Sequence, residues 1–292
     1  MNMPETVAPQ SIAAALRALA DRNAVPVAGG TDILVKLHDR IDKPWPRLVV
    51  LDNIKQLKKI IITRGYIDIG ATATFADIER SKPLAKLAQP LVTAVSLAGS
   101  VQIRNRATIG GNIANASPAG DTLPPLYVMD ARIELRSLNS AEWIDIADFF
   151  KGPGKTIRKP DQLITRIRLP LSAHSGFFLR LAARRALAIS KVSVAACAEI
   201  KSGKVTAVRI ALGAVAPTVI RALKTERFLT GRTLNEATIA EAAEIVCSEA
   251  RPIDDIRSLA DYRKEMVGVL LKRGLRGLMN GSAETKSANQ KP

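Results

Sequence analysis

The sequence predicts an α/β protein with three parts: a small parallel strand–helix–strand lobe, a mixed or antiparallel lobe, and a C-terminal α+β domain. Three observations carry this reading. A glycine pair, Gly29-Gly30, separates a short apolar strand from an amphipathic helix, and another apolar strand follows. Beyond Asp52 the pattern changes to strands joined by tight turns. From 177 onward, three strands precede three segments of helical spacing.

Ser11 precedes Ile12, Ala15, Leu16 and Leu19, which predicts an N-capped amphipathic helix over 11–22. A strand is expected at 25–28. Residues 31–37, apolar at i, i+1, i+3 and i+4, read as a helix, and 48–51 as a second strand after a connection containing Pro44 and Pro46. Residues 60–62 and 66–70 flank a turn at Arg64-Gly65, and a short helix follows at 74–80. A helix at 88–99 leads into a glycine-bearing loop over 103–121; strands are expected at 130–137 and at 163–169, the latter closed by Pro170.

The polar stretch 172–176 is the expected main boundary. It divides the chain into 1–174, with sublobes of about 1–55 and 56–174, and a C-terminal domain at 175–281. In the latter, strands at 177–182, 192–200 and 205–215 include a hairpin at Lys201-Ser202-Gly203-Lys204. Helices are expected at 222–229, 235–247 and 262–279, and the polar tail 282–292 is expected to be disordered.

Composition narrows the function. Apolar residues make up 47% of the 292, spread along the whole length, as in a folded globular chain. No stretch approaches the roughly 20 apolar residues of a membrane span, and the first ten lack a secretory pattern, so a cytoplasmic protein is expected. Cys197 and Cys247 are the only cysteines, each in an apolar, Ala-rich context, and read as small buried hydrophobes. Any iron–sulfur cluster therefore belongs on another chain. His38 and His174 form no metal-spaced pair, and Asp254-Asp255 beside Pro252 reads as a helix start or loop.

The net charge of +16 raises nucleic-acid binding as one alternative. The basic residues are scattered, however, among them Lys36, Lys43, Arg104, Arg184 and Lys272, and aromatic residues amount to 4%, too few for a stacking platform. A solvated basic surface or a face for an acidic partner subunit fits this pattern better, and no specific nucleic-acid partner is expected.

Two loops carry chemistry. Ala28-Gly29-Gly30-Thr31-Asp32 places missing side chains between strand and helix, where main-chain amides can approach a phosphate. By itself this pair fits a structural turn equally well, and it matches neither the GxGxxG fingerprint nor a GxxxxGK[ST] loop. The stretch from Ile103 to Asp121 is richer. It brings backbone approach at Gly110-Gly111, polar partners at Thr108, Asn112, Asn115 and Ser117, and a carboxylate at Asp121 following Gly120. Such a loop can wrap a polar dinucleotide, and it is too long and specific for a plain connection.

At these residues the sequence resembles the FAD-binding medium subunits of the xanthine dehydrogenase, aldehyde oxidase and carbon monoxide dehydrogenase family. Gly152-Pro153-Gly154-Lys155, Arg184-Arg185-Ala186-Leu187-Ala188-Ile189-Ser190 and Leu212-Gly213-Ala214-Val215-Ala216-Pro217-Thr218 also look like family segments, so the resemblance runs from about Ser11 to Met279. It implies a two-lobed FAD-binding domain of the PCMH/vanillyl-alcohol-oxidase-like type followed by the C-terminal α+β domain, with an antiparallel sheet and helices.

The resemblance further implies that Ala28, Gly29, Gly30, Thr31 and Asp32, with Thr108, Gly110, Gly111 and Asn112, hold the FAD diphosphate and ribityl region from two sides. Asn115, Ser117 and Gly120 belong to the same cofactor loop, and Asp121 lies near the flavin-side sugar chain. By alignment on the double arginine, Arg180 falls near the flavin, and Ile164 covers a ring of the cofactor. Ser190 and Lys191 fit either an opening for a second nucleotide or a plain surface role.

In the implied assembly a large molybdopterin subunit hydroxylates the substrate, a small [2Fe-2S] subunit relays electrons, and this chain's FAD reduces an acceptor such as NAD+. A dimer of heterotrimers is the expected arrangement. The segments at 152–155 and 215–218 look most like bacterial xanthine dehydrogenase flavin subunits, which makes purines the first substrate expectation. A self-sufficient FAD-dependent oxidase or reductase is the alternative within flavin chemistry. It would need its own substrate pocket and catalytic base, and the few histidines and tyrosines disfavour it.

Overall fold

A computed structural model describes residues 4–21, 23–38, 46–171, 174–184 and 187–280. Arg22, Lys43, Pro44, residues 172–173, Arg185, Ala186 and the tail at 282–292 lie outside the described residues. The chain forms two compact units. One comprises Met1–Ser81, Ala98–Ser117 and Asp130–Leu171; the other comprises Lys82–Leu97, Pro118–Met129 and Ser172–Pro292.

The first unit opens with a three-stranded sheet in the order Thr6–Val7, Arg47–Val50, Ala24–Val27. Its pairings are parallel, with Val25 opposite Leu48 and Val27 opposite Val50. The Ile12–Leu19 helix precedes the Ala24–Val27 strand, and its N-cap Ser11 accepts the Ala14 amide at 3.2 Å. Its buried face, Ala15, Leu16 and Leu19, packs with Ala24, Val49, Leu51, Ile54 and Leu57. Burial of each leucine contributes about 1.5–3 kcal/mol. The expected strand, glycine turn and helix are present, as Ala24–Val27 followed by Ile33–His38.

A five-stranded sheet follows in the order Ile60–Ile62, Tyr66–Gly70, Leu163–Pro170, Arg132–Arg136, Ala141–Asp145. All its pairings are antiparallel, so the hairpin expected at 60–70 is there. The short helix after it, Phe75–Arg80, begins with a capping box in which Thr74 and Asp77 satisfy each other's backbone amides.

The stretch 103–121, expected as a loop, departs from that expectation because it is largely helical. Val101–Arg106 and Ile109–Asn115 are short helices. Ser100 caps the first by accepting the Ile103 amide at 3.2 Å, and Thr108 caps the second by accepting the Gly111 amide at 3.1 Å. Glycine disfavours a helix on propensity alone. Here it is required by packing, because a Cβ at Gly110 would stand 2.7 Å from the Ala71 carbonyl oxygen.

In the second unit an antiparallel sheet runs Ser175–Ala182, Ser190–Lys201, Lys204–Gly213, Ile220–Arg221. Ser202 and Gly203, with φ of 51° and 75°, form the tight hairpin that their sequence announced. The Ala260–Met279 helix packs on this sheet and the Glu236–Glu249 helix packs against that helix, around a core that includes Phe177, Val194, Ile210, Leu229, Ile239, Val246 and Leu271. Gly274 lies so close to the Phe177 ring that a Cβ would come within 2.1 Å.

The Leu123–Val128 helix in this unit was not anticipated, since Pro124 and Pro125 suggest a break. Both fall in its first turn, where a missing amide hydrogen costs nothing. Cys197 is buried, and Cys247 is half-buried with its thiol donating to the Ala243 carbonyl at 3.1 Å. Burial pushes the Cys247 thiol up from its ordinary pKa. No described helix is long and apolar enough to cross a membrane.

Candidate cofactor cleft

The Ala24–Val27 strand ends at a sharp turn where Gly30 adopts a φ of 78°, a left-handed conformation that glycine takes without strain. Gly29 is glycine for a different reason. A Cβ there would stand 1.9 Å from the Arg106 carbonyl oxygen, so the turn lies directly against the end of the Val101–Arg106 helix. The backbone amides of Gly29, Gly30 and Thr31 have no acceptor among the described residues, which leaves a row of donors available to an anionic ligand.

These residues line a concave cleft of about 290 Å³ within the first unit. That is close to the lower end of ligand pockets, about 300–1,000 Å³. Ala28, Gly29, Gly30, Thr31 and Asp32 line it together with Thr108, Gly110, Gly111, Asn112 and Asn115, although the two groups lie far apart in sequence. Ile164, on the Leu163–Pro170 strand, lines it as well. The two loops are tied by hydrogen bonds. Asn115 Nδ2 donates to Asp32 Oδ1 at 3.1 Å, and Lys36 Nζ donates to Asn115 Oδ1.

Sequence reasoning missed several residues of this cleft. Pro26, Leu51 and Leu163 add apolar wall, and Lys36 and Arg158 add positive charge. Thr72 also lines it, and its buried Oγ1 has no hydrogen-bond partner among the described residues. Arg158 is held by the carbonyl oxygens of Lys159, Pro160 and Gln162, and burial lowers its pKa from the ordinary arginine value. Lys36 could have been read from its position one turn into the helix after the glycines. Thr72 and Arg158 sit in no motif, and tertiary packing alone brings them to the cleft.

Four expected site residues are not among those lining this cleft: Ser117, Gly120, Asp121 and Arg180. Ser117 is half-buried and Gly120 buried. Asp121 and Arg180 form a cluster inside the second unit, where Arg180 Nη1 donates to Asp121 Oδ2 at 2.6 Å and the Ser190 hydroxyl donates to Asp121 Oδ1 at 2.5 Å. Arg180 Nη2 also donates to the Leu97 carbonyl at 2.5 Å. Burial pushes the Asp121 carboxyl up from its ordinary pKa, against the lowering by Arg180 and Ser190. No group of three or more His, Cys, Asp or Glu able to hold a metal occurs among the described residues.

The cleft suits a dinucleotide: amide donors at a glycine turn, apolar wall at Pro26, Leu51, Leu163 and Ile164, and two cations against the one carboxylate of Asp32. Comparison with known proteins agrees. The family model for the FAD binding domain in molybdopterin dehydrogenase matches residues 2–172, and that for the CO dehydrogenase flavoprotein C-terminal domain matches 177–278. The xanthine dehydrogenase FAD-binding subunit of Escherichia coli O157:H7 is 30% identical, over 90% of this chain and 91% of that protein. The carbon monoxide dehydrogenase medium chain of Hydrogenophaga pseudoflava is also 30% identical, over 92% of this chain and 94% of its own length. The crystal structure of quinoline 2-oxidoreductase from Pseudomonas putida 86 superposes with a TM-score of 0.90 at 28% identity, covering 96% of this chain and 98% of that one. The glycine turn, the capped helix facing it and both family matches lead to one conclusion: the chain belongs to the family of FAD-binding medium subunits of molybdenum hydroxylases, and is an oxidoreductase subunit.

Proposed function

We propose that this chain holds FAD in the cleft of its first unit and passes electrons from a small [2Fe-2S] subunit to NAD+ or another acceptor. The observation that carries the reading is the meeting of Ala28–Asp32 with Thr108–Asn115 around one cleft, within the region matched by the FAD-binding family model. Bound FAD supplies the exchange between single-electron and hydride transfer. The chain's own part is to bind and orient. The amides of Gly29, Gly30 and Thr31 would hold the diphosphate, the Asn115–Asp32 bond ties the two loops together, and Ile164 with Leu163 would supply an apolar wall to the cofactor. From the family resemblance, Ser117 and Gly120 are assigned to the cofactor loop, Asp121 to the flavin-side sugar chain and Arg180 to the neighbourhood of the flavin.

In the same proposal, 1–174 is the flavin domain and 175–281 the C-terminal domain, a division supported by family matches at 2–172 and 177–278. A large molybdopterin subunit oxidises the organic substrate, in a dimer of heterotrimers in the cytoplasm. Purines are the first substrate assignment, supported by the likeness to a xanthine dehydrogenase subunit. The relatives also carry names pointing to carbon monoxide and quinoline, and the substrate pocket would lie on the other polypeptide.

The test is an absorption spectrum of the purified chain, followed by acid release and chromatography of any cofactor. Stoichiometric FAD without iron or molybdenum is expected. A chain that takes up no flavin even after incubation with FAD would overturn the reading.

A further inference from the structure

Arg158 lines the cleft without a carboxylate partner among the described residues. Its Nη1 donates to the carbonyl oxygens of Lys159 at 2.9 Å, Pro160 at 3.4 Å and Gln162 at 2.8 Å. Its Nε and Nη2 have no acceptor among the described residues. A guanidinium presents five N–H donors in a planar fork, so carbonyls at one nitrogen fix the plane and leave the opposite edge unspent. Burial lowers its pKa, an effect that Asp161 offsets only in part and without an ion pair among the described residues. A partly buried cation without an ion-pair partner is unfavourable, and an anionic ligand relieves it.

Charge in the cleft points the same way. Its titratable lining consists of Arg158, Lys36 and Asp32, two cations against one carboxylate. In FAD the only anionic group is the diphosphate.

We propose that Arg158 is a cofactor-binding residue whose unspent guanidinium edge pairs with the dinucleotide's diphosphate. This rests on the FAD reading above. It goes beyond the glycine loops, because it assigns charge recognition to a loop arginine that no motif marks. A purely structural Arg158 would only pin the turn at 158–162, and the two roles separate experimentally.

The full-length chain, stripped of flavin, is titrated with FAD, ADP and adenosine at several salt concentrations as wild type, Arg158→Gln and Arg158→Lys. Thermal melts of the flavin-free proteins accompany the titrations. The Gln variant should weaken FAD and ADP binding about tenfold or more, leave adenosine binding unchanged, and flatten the salt dependence of FAD affinity. The Lys variant, which keeps charge but not the fork, should fall between, and it decides the matter if the Gln variant does not fold. Equal losses for ADP and adenosine, or FAD affinity and salt dependence like wild type, would overturn the proposal while leaving the FAD site standing. A wild-type chain that binds no FAD would instead remove the site itself, and Arg158 with it.

Discussion

Asn115 and Asp32, 83 residues apart in the chain, are joined by a 3.1 Å hydrogen bond within the lining of the cleft. Lys36 donates to the same asparagine, so its amide oxygen and nitrogen link the helix after the glycine turn to the helix after Thr108. Asn115→Ala removes both bonds at once. Each bond has a charged partner but is exposed to solvent, so at about 0.5–1.5 kcal/mol apiece FAD affinity should fall several-fold, read by quenching of flavin fluorescence on titration. Unchanged affinity would detach this tie from cofactor binding.

Gly29 tests the close approach of the turn. Gly29→Ala drives a Cβ into the Arg106 carbonyl, a backbone atom that cannot rotate aside. We expect destabilisation of about 1–3 kcal/mol together with loss of flavin retention. Gly65→Ala is the matched control, because nothing lies within 4 Å of its Cβ position, and it should change neither melting temperature nor flavin content.

Gly111→Val tests the capped helix. Even one Cβ at Gly111 would meet the Thr108 hydroxyl at 2.9 Å, the oxygen that caps this helix. Flavin retention should be abolished while the C-terminal part remains folded, as read by absorbance and limited proteolysis. Flavin content like wild type would remove the loop from the site.

Thr72 carries a buried hydroxyl without a partner among the described residues. Thr72→Val keeps the shape and removes the unpaired oxygen, so the flavin-free chain should be unchanged or more stable by up to about 1 kcal/mol in a urea melt. A clear loss of stability would show that the hydroxyl is hydrogen-bonded in solution.

Acid should loosen the second unit through Asp255. Hydrogen bonds from Arg257 hold its carboxyl at about 2 against an ordinary 3.8, and the buried Arg263 pairs with it too. A depressed pKa stabilises the folded chain at pH above 3.8, and that contribution disappears as pH falls through about 2. Asp255→Asn should lower the melting temperature at neutral pH and shrink the difference from wild type near pH 2. Parallel pH profiles would contradict this.

Local chemistry explains what was legible. Ser11 and Thr74 cap the helices that follow them with their own side chains, and Ser202-Gly203 sets a hairpin by its backbone preference. The helices inside 103–121 were hidden because Gly110-Gly111 speaks against a helix locally, while the nearness of Ala71 demands glycine there. The Leu123–Val128 helix was hidden by its two prolines.

The sequence by itself determined the glycine turn, the polar residues of 103–121 as a second ligand-contacting segment, the family to which both belong, and the absence of cysteine ligands for a cluster of its own. These are properties of residue type and near-neighbour spacing. Tertiary structure alone decided that Arg158 and Thr72 share a cleft with those loops, and that Asp121 is paired with Arg180 and Ser190. Such meetings depend on sheet register and on how closely backbones pack. Both are set by contacts between residues tens of positions apart, which local spacing does not encode.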